Sequence, residues 1–285
     1  MSAPGDSSVT ASVGAQADRW RLALESWAIP PEILASASES PFVLPHHLFA
    51  RRAARSLEAQ PSPSFERAWE ALDPPGSVLD VGTGAGAACL PLAARATSMT
   101  AVDTDAEMLS LLAGSADRLG AEVRQLRGRW PDVAGEVATA DVVTCHHVLY
   151  NVPDIEPFIV GLTGRARRRV VVEMTAVHPL SFMNPLWERF YGLVRPSAPT
   201  AEDMLALLEA LGLSPSHEVW SLVGEAEHES FEDRAEVTRR RLCLQPNRAE
   251  EVASALRELG EGPDRTGGPR SSRTRLFTIW WSGRA

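Results

Sequence analysis

The 285-residue sequence predicts an α/β fold with a doubly wound, mostly parallel sheet of seven strands, preceded by a helical cap. Two observations support this prediction. Short apolar runs alternate with helical patterns from residue 64 onward, and the runs are apolar throughout, as strands buried on both faces of a parallel sheet are. The length and the hydrophobic fraction of 44% suit one large domain with an appendage.

The charged residues exclude several kinds of chemistry. All 28 basic residues are arginine, and 37 acidic residues bring the net charge to −9. Without lysine the chain can form neither a lysine Schiff base nor a lysine-containing phosphate loop. The acidic balance disfavours a broad nucleic-acid or membrane surface, and no apolar run approaches the roughly 20 residues that span a bilayer. With three scattered cysteines and no signal-peptide pattern, we expect a reduced, cytoplasmic location.

The chain before the domain divides into two parts. Residues 1–15 are small and polar, and they are predicted to form a disordered tail. Residues 16–63 form the predicted helical cap, which packs by its Trp and Leu side chains. The domain itself is predicted to extend over residues 64–285.

The central part of the domain alternates helices and strands. Strands are predicted at residues 77–81, 99–102, 121–126, 141–145 and 169–173, and helices at residues 64–72, 107–119 and 155–162. Another helix is predicted directly after the glycine-rich turn that follows the first strand. Pro91 lies inside it, at a cost of about 3 kcal/mol unless the helix starts late or bends.

The C-terminal third departs from this alternation. A capping box from Thr200 to Asp203 begins a predicted helix, which Gly212 ends. Strands are predicted at residues 217–223 and 274–281. A helical insertion over residues 231–273 separates them, with two helices divided at Gln245-Pro246 and a flexible loop from residue 260.

The glycine-rich turn carries the main functional signal, in the run Asp80-Val81-Gly82-Thr83-Gly84-Ala85-Gly86. Glycine lets the backbone adopt positive φ and pass close to a ligand, and Asp103 ends the next strand, where an acid can bind both hydroxyls of a ribose. Gly82-x-Gly84-x-x-Ala87 also fits a dinucleotide fingerprint, which would indicate an NAD-dependent oxidoreductase. Asp80 disfavours that interpretation, because a carboxylate there repels a pyrophosphate and suits a cationic amine.

Three segments resemble the motifs of the class I S-adenosylmethionine-dependent methyltransferases. Residues 80–86 (DVGTGAG) are similar to the first motif, residues 101–109 (AVDTDAEML) to the second, and residues 141–154 (DVVTCHHVLYNVPD) to the fourth strand and its loop. The resemblance covers residues 64–223 well. It implies a Rossmann-like fold, S-adenosylmethionine as the cofactor and methyl transfer as the activity.

The resemblance also implies which residues bind the cofactor: Asp80, Gly82, Thr83, Gly84, Gly86, Asp103, Thr104, Met108, Arg129, Trp130 and Cys145. Asp80 would face the methionine amine, usually through water. The glycines and Thr83 would surround the methionyl and ribose groups, and Asp103 would bind the ribose. Thr104 and Met108 would flank the adenine. The loop RGRWP at residues 127–131 lacks the acid that the family often places at the adenine, so Arg129 or Trp130 would reach the ring instead. Alternatively, Trp130 is a core aromatic residue.

Candidate catalytic groups lie at the carboxyl ends of strands four and five, where open α/β sheets bind ligands: His146, His147 and Glu173. A free imidazole titrates near neutrality, so His146 or His147 could act as a base or position the acceptor. Alternatively, one packs and the other contacts the cofactor. A cytosine-type nucleophile at Cys145 is disfavoured, because Thr144 precedes it instead of proline.

The residues expected to line the acceptor site are Tyr150, His178, Trp187 and Tyr191. Trp187 and Tyr191 belong to the aromatic segment 181–191, which suits an apolar pocket or, equally, a helix that packs in the core. No ligand spacing supports a metal site.

The predicted function is methyl transfer from S-adenosylmethionine to a small or medium organic acceptor, at oxygen or nitrogen. An RNA methyltransferase is the first alternative, because arginines cluster at residues 165–169 and 239–241. The net charge of −9 disfavours it. The second alternative is a non-catalytic regulatory subunit that binds the cofactor.

Overall fold

A seven-stranded sheet runs through the molecule. The computed structural model describes residues 6–43, 45–223, 228, 230–263 and 273–284. The strands are β1 (Gly76–Val81), β2 (Ala96–Asp103), β3 (Val123–Arg127), β4 (Ala140–His146), β5 (Ala166–Thr175), β6 (Ser216–Val223) and β7 (Arg273–Ser282). Their order is β3-β2-β1-β4-β5-β7-β6, and β7 is antiparallel to both of its neighbours. The remaining pairs are parallel, so the predicted α/β fold is confirmed.

This strand order places a ligand-binding crevice at the carboxyl ends of β1 and β4. The chain proceeds outward from β1 through β2 to β3 and then returns to pair β4 with the other side of β1. The connections therefore leave in opposite directions from this point, which is where doubly wound sheets bind ligands. The glycine-rich turn directly follows β1, and His146 ends β4.

Helices cover both faces of the sheet. They are α1 (Asp6–Glu25), α2 (Pro31–Ala35), α3 (His46–Glu58), α4 (Pro63–Ala71), α5 (Ala106–Leu119), α6 (Ile155–Arg165), α7 (Asn184–Tyr191), α8 (Ala201–Ala210), α9 (Phe231–Arg241) and α10 (Ala249–Glu258). One core cluster joins α1, α6 and α8 to Leu79 and Val143, and a second joins α4 and α5 to Val78 and Val142. Since strand side chains alternate, Asp80, Thr144 and Glu173 lie on the α4 face.

The N-terminal segments pack in three different places. Trp20 of α1 is buried on the α6 face, where its indole N–H donates to the Val152 carbonyl at 2.9 Å. Near α2, Ile29 and Ile33 join a third cluster, which α7, α9 and α10 form. The third segment, α3, contacts α5. Residues 16–63, the predicted cap, therefore contact the domain at several separate places.

Two expectations from the sequence need correction. Composition predicted a disordered tail over residues 1–15, but residues 6–15 belong to helix α1, in which Val13 is buried. Residues 1–5 lie outside the described chain. The helix predicted after the glycine-rich turn is absent, and the chain instead makes turns and one 3-10 segment, Leu90–Leu92. Pro91 explains this, because it lacks the N–H that an α-helix needs there.

The C-terminal third follows the predicted pattern. Thr200 and Asp203 form the capping box of α8, and a 3-10 turn at Pro246–Arg248 separates α9 from α10. Most of the predicted flexible loop over residues 260–273 falls at residues 264–272, outside the described chain. Within the described ranges, no helix is both long enough and apolar enough to cross a membrane.

Candidate functional site

The three glycines of the turn after β1 have different structural roles. Gly82, Gly84 and Gly86 have φ of 70°, 52° and 94°, a region that L-residues rarely adopt. A Cβ on Gly82 would lie 2.3 Å from Cγ2 of Val148, and one on Gly86 would lie 2.4 Å from Cδ1 of Leu112. A Cβ on Gly84 would meet nothing within 4 Å. Gly82 and Gly86 therefore permit close packing, whereas Gly84 borders open space beside the crevice.

Asp103 lies next to this open position. Its Oδ2 accepts a hydrogen bond of 2.8 Å from the Gly84 N–H, and its Oδ1 accepts one of 3.0 Å from the Asp105 N–H. A carboxylate oxygen can accept two hydrogen bonds, so each oxygen retains capacity for one more. This geometry fits the two vicinal hydroxyls of a ribose.

Asp80 lies beneath the turn and is only 1% exposed. Its oxygens accept hydrogen bonds of 2.7 Å from the hydroxyls of Thr83 and Thr144. Burial raises the pKa of Asp80, while the charge of His146 and the two hydroxyls oppose the rise. Asp80 thus joins Thr83 of the turn to Thr144 of β4, and its predicted role toward the methionine amine, usually through water, stays a prediction.

His147 and Glu173 form a hydrogen-bonded pair at the ends of β4 and β5. His147 Nε2 lies 2.9 Å from Glu173 Oε1, and the His147 backbone N–H donates to the Glu173 carbonyl at 2.8 Å. His147 adopts a positive φ of 59°. Burial acts to raise the pKa of Glu173, but the hydrogen bond from His147 and the charges that His146 and His147 carry when protonated lower it to about 2. Glu173 is thus an ionised carboxylate, and its Oε1 accepts a hydrogen bond from Nε2–H of His147.

His146 differs from its neighbour. Its Nε2 is buried and has no hydrogen-bond partner among the described residues. Burial lowers the pKa of His146, and the charges of Glu173 and Asp80 only partly offset this effect. The ring is therefore neutral, and its unpaired nitrogen is a polar atom that a bound ligand would satisfy.

Together these features fit the cofactor that the resemblance implies. The open backbone at Gly84 and the free capacity of the Asp103 carboxylate lie at the carboxyl ends of β1 and β2, and His146 ends the neighbouring strand β4. Thr104 and Arg129 are exposed, and Met108 is buried in the first turn of α5. These three positions remain predictions for the adenine side.

Two predicted cofactor residues lie in the core. Trp130 is 5% exposed, and its indole N–H donates to the Phe158 carbonyl of α6 at 3.3 Å. Cys145 is fully buried, within the cluster on the α6 face. The core alternative for Trp130 is therefore the one that the structure favours, and the Cys145 side chain points away from the face that carries Asp80.

Of the predicted acceptor residues, the structure brings Tyr150 and His178 together but not the other two. The rings of Tyr150 and His178 pack edge to face, with their centroids 5.2 Å apart. His178 also stacks on Trp27, with a centroid distance of 3.9 Å. The Tyr150 hydroxyl donates to the Thr175 carbonyl, and burial raises the pKa of Tyr150. Burial and the charge of Arg195 lower the pKa of His178 to about 4. Trp27, Tyr150 and His178 therefore pack together as uncharged rings.

Trp187 and Tyr191 belong to the separate cluster of α7, α9 and α10. Trp187 is 4% exposed, and the Tyr191 hydroxyl donates to the Leu242 carbonyl at 2.7 Å. Core packing therefore accounts for both side chains, because an aromatic helix face looks the same in a sequence whether it lines a pocket or fills a core. Sequence reasoning missed Trp27, whose stacking on His178 depends on the path of the cap.

The arginine clusters are engaged within the protein. Arg167 and Arg168 pair with Asp141, and Arg169 pairs with Glu70. In α9, Arg239 is 1% exposed. It pairs with Glu236 and Glu39, and Arg240 also pairs with Glu39. No group of His, Cys, Asp and Glu in the described chain has the arrangement of a metal site.

The sheet order, the glycine-rich turn and Asp103 define a class I S-adenosylmethionine-dependent methyltransferase. Over residues 50–216 the chain matches the family described as a methyltransferase domain, and it belongs to that family. The chain is therefore an enzyme, and S-adenosylmethionine is its cofactor. No curated protein matches the chain significantly.

Solved structures resemble the chain in fold. The cyclopropane-fatty-acyl-phospholipid synthase-like protein of Lactobacillus casei has 15% identity and a TM-score of 0.52, with 88% of this chain and 97% of that chain covered. The YcgJ protein of Bacillus subtilis has 19% identity and a TM-score of 0.50, with 85% and 100% covered. The magnesium protoporphyrin IX methyltransferase of Synechocystis, solved with bound SAH, has 14% identity and a TM-score of 0.47, with 82% and 93% covered.

Proposed function

We propose that this methyltransferase transfers a methyl group to an oxygen or nitrogen atom of a small or medium organic acceptor, with His147 as the base. The observation that carries the proposal is the 2.9 Å contact between His147 Nε2 and Glu173 Oε1 at the carboxyl edge of the sheet. A base whose orientation a carboxylate holds suits an acceptor that must lose a proton.

The pair defines which nitrogen of His147 is available. In the neutral imidazole of His147, Nε2–H donates a hydrogen bond to the ionised Glu173, so Nδ1 carries the lone pair. When bound, S-adenosylmethionine supplies a methyl group on a positively charged sulfur, which already activates it. His147 then has one task, which is to take the acceptor proton at Nδ1, while the charge of Glu173 stabilises the resulting imidazolium.

The remaining predicted groups receive supporting roles. His146 is buried and neutral, and its unpaired Nε2 suits a hydrogen bond with the cofactor better than proton removal. Val177 and Phe182, just beyond β5, are 46% and 45% exposed. Apolar side chains in water beside the carboxyl edge favour an acceptor with an apolar part.

A small acceptor is preferred to RNA because most arginines of the two clusters are already paired with acids of the chain: Arg167, Arg168, Arg169, Arg239 and Arg240. A phosphate backbone requires cations that are free to replace its counterions. We also propose the reduced cytoplasm as the location, since Cys89, Cys145 and Cys243 are buried free thiols.

The test measures release of S-adenosylhomocysteine from the purified protein with a panel of phenols, hydroxy acids and amines. His147→Gln should lower turnover by about 100-fold or more while cofactor affinity by calorimetry stays within about twofold. His217→Gln, at an exposed position of β6, is the matched control and should behave like the wild type.

Three outcomes count against parts of the proposal. Full turnover in His147→Gln would remove the base role. Tight binding of structured RNA that weakens steeply with salt would favour the RNA alternative. Cofactor binding without turnover on any acceptor of the panel would favour the non-catalytic subunit.

A further inference from the structure

Arg195 is a half-buried cation whose contacts are all with neutral groups of the described chain. It lies in the segment between α7 and α8, and its guanidinium donates to the backbone carbonyl of Ala28 at 3.0 Å and to that of Trp27. Its Nε is buried and has no hydrogen-bond partner among the described residues. The side chain therefore retains both a positive charge and a donor that these contacts leave unused.

Other arginines with a shifted pKa have acids beside them. Arg21, Arg189, Arg239 and Arg248 each donate to a carboxylate, and this raises their pKa. Arg195 is shifted the other way, because burial lowers its pKa and no neighbouring acid opposes the effect. A cation that is taken out of water without a counter-ion is costly, so this arrangement suits a site that receives an anion from outside the chain.

Aromatic rings connect Arg195 to the carboxyl edge of the sheet. Its guanidinium carbon lies 5.5 Å from the ring centre of Trp27, and Trp27 stacks on His178. His178 lies just beyond β5 and packs against Tyr150, which follows β4. Arg195 is thus next to the two residues of the predicted acceptor site that the structure brings together.

A purely structural role accounts for only part of this side chain. The two hydrogen bonds hold the N-terminal segment at Trp27 and Ala28, and the rings of Trp27 and Trp187 flank the guanidinium at 5.5 and 5.1 Å. Such ring contacts offset part of the cost of removing the cation from water. They do not cancel its charge, and they leave N–H groups of the guanidinium available to donate.

We propose that Arg195 binds a carboxylate of the acceptor, at a position away from the atom that is methylated. This inference rests on the proposed function, because it names the class of acceptor for that site: an organic acid with an apolar part. A planar guanidinium can bind a carboxylate with two parallel hydrogen bonds. Its single charge balances a carboxylate, whereas a phosphate monoester carries about −1.5 to −2 at neutral pH.

Apolar side chains beside Arg195 suit the rest of such an acceptor. Val194 precedes it and is 81% exposed, and Phe182 is 45% exposed. The Asn184 side chain donates to the Pro196 carbonyl at 3.0 Å, which holds the segment of Arg195 against the start of α7, next to Phe182. A cation beside exposed apolar groups matches a molecule that is acidic at one end and apolar elsewhere.

The experiment is calorimetry of the full chain saturated with S-adenosylhomocysteine. The probes are pairs that differ in charge: 4-hydroxybenzoate, 4-hydroxyphenylacetate and 3-(4-hydroxyphenyl)propanoate, each with its primary amide. In the wild type we expect at least one acid to bind about 10-fold or more tightly than its amide, as a charge-assisted hydrogen bond provides. In Arg195→Gln this ratio should fall to about one.

Two further variants show what the ratio depends on. Arg118→Gln is the matched control, because it removes the same charge at an exposed position of α5, and it should keep the wild-type ratio. Arg195→Lys keeps the charge without the planar fork and should retain part of the preference. If Arg195 only held the N-terminal segment, Arg195→Gln would weaken acid and amide equally and leave the ratio unchanged.

The outcomes separate this inference from the proposed function. Ratios near one for every pair in the wild type would overturn it, whether or not any variant folds. A preference for acids that persists in folded Arg195→Gln would also overturn it. Loss of the preference in that variant supports it, since no turnover is measured. If the preferred acids bind but never release S-adenosylhomocysteine with S-adenosylmethionine present, the carboxylate site stands and the proposed function fails.

Discussion

The backbone N–H of Gly84 donates a hydrogen bond of 2.8 Å to Oδ2 of Asp103. This bond joins the turn after β1 to the end of β2, so the protein itself fixes the two parts of the predicted ribose site relative to each other. A site that is already ordered loses little conformational freedom on binding, which strengthens affinity. The same bond keeps the carboxylate in the orientation that leaves one lone pair on each oxygen.

Asp103→Asn should therefore weaken cofactor binding more than loss of one hydrogen bond would. The amide accepts at only one atom, and its NH₂ group opposes a backbone N–H of Gly84 or Asp105. We expect the Kd for S-adenosylmethionine to rise at least about 10-fold, equivalent to about 1.4 kcal/mol or more. Calorimetry measures this. Asp117→Asn, at an exposed position of α5, is the control, and equal affinities in the two variants would refute the ribose assignment.

Alanine at Gly84 and at Gly82 should have different effects. A Cβ at Gly84 meets no protein atom within 4 Å, so Gly84→Ala should cost only the strain of its positive φ, about 1 kcal/mol of unfolding free energy, while cofactor affinity falls. A Cβ at Gly82 would lie 2.3 Å from Cγ2 of Val148, so Gly82→Ala adds overpacking to the strain of its positive φ. We expect it to lower the free energy of unfolding by about 2 to 4 kcal/mol. Urea unfolding and calorimetry separate the two effects. The opposite ranking of stability would contradict the packing of the turn.

Glu173 should give the protein a pH-dependent stability below neutrality. Its pKa is about 2 in the folded protein, against an ordinary value of 4.5. Because the folded state holds this proton less tightly, the stabilisation is complete above about pH 4.5 and is lost as pH falls towards 2. Full loss amounts to about 3 kcal/mol. Urea unfolding at intervals between these limits should show that the advantage of wild type over Glu173→Gln shrinks with falling pH, whereas a constant difference would contradict it.

The sequence predicts the cofactor half of the site because its determinants are local. The run from Asp80 to Gly86 is one strand end and one turn, and Asp103 ends the adjacent strand. Positive φ and close approach are properties of short segments, so spacing along the chain is enough to place the turn beside the end of β2. The roles of these residues toward the cofactor stay predictions. Asp80 was predicted at the right turn, but its burial depends on Thr144 of another strand, and spacing does not convey this.

The acceptor half depends on contacts between distant segments. Trp27 stacks on His178 because the N-terminal segment crosses to the domain, a path that apolar periodicity does not encode. Aromatic residues such as Trp130 and Trp187 were ambiguous for another reason. The same side chain serves a core or a pocket equally well, and only its neighbours in space decide between them.

The last prediction concerns Arg239, which joins α9 to the N-terminal cap. Its guanidinium is 1% exposed, pairs with Glu236 and Glu39, and donates to the Leu244 carbonyl. Arg239→Met would leave the buried Leu244 carbonyl without its donor, whereas the half-exposed Glu236 and Glu39 can be hydrated. We therefore expect the free energy of unfolding to fall by about 1 to 2 kcal/mol. Thermal unfolding measures the loss.

Arg21→Met is the matched control, since Arg21 forms only exposed ion pairs with Asp18 and Glu25 and should cost less than about 1 kcal/mol. If Arg239 served RNA instead, Arg239→Met would leave stability unchanged and weaken salt-dependent RNA binding. Arg239 is buried and donates four hydrogen bonds within the chain, so phosphate cannot reach it without disrupting them, and the stability loss is the expected outcome.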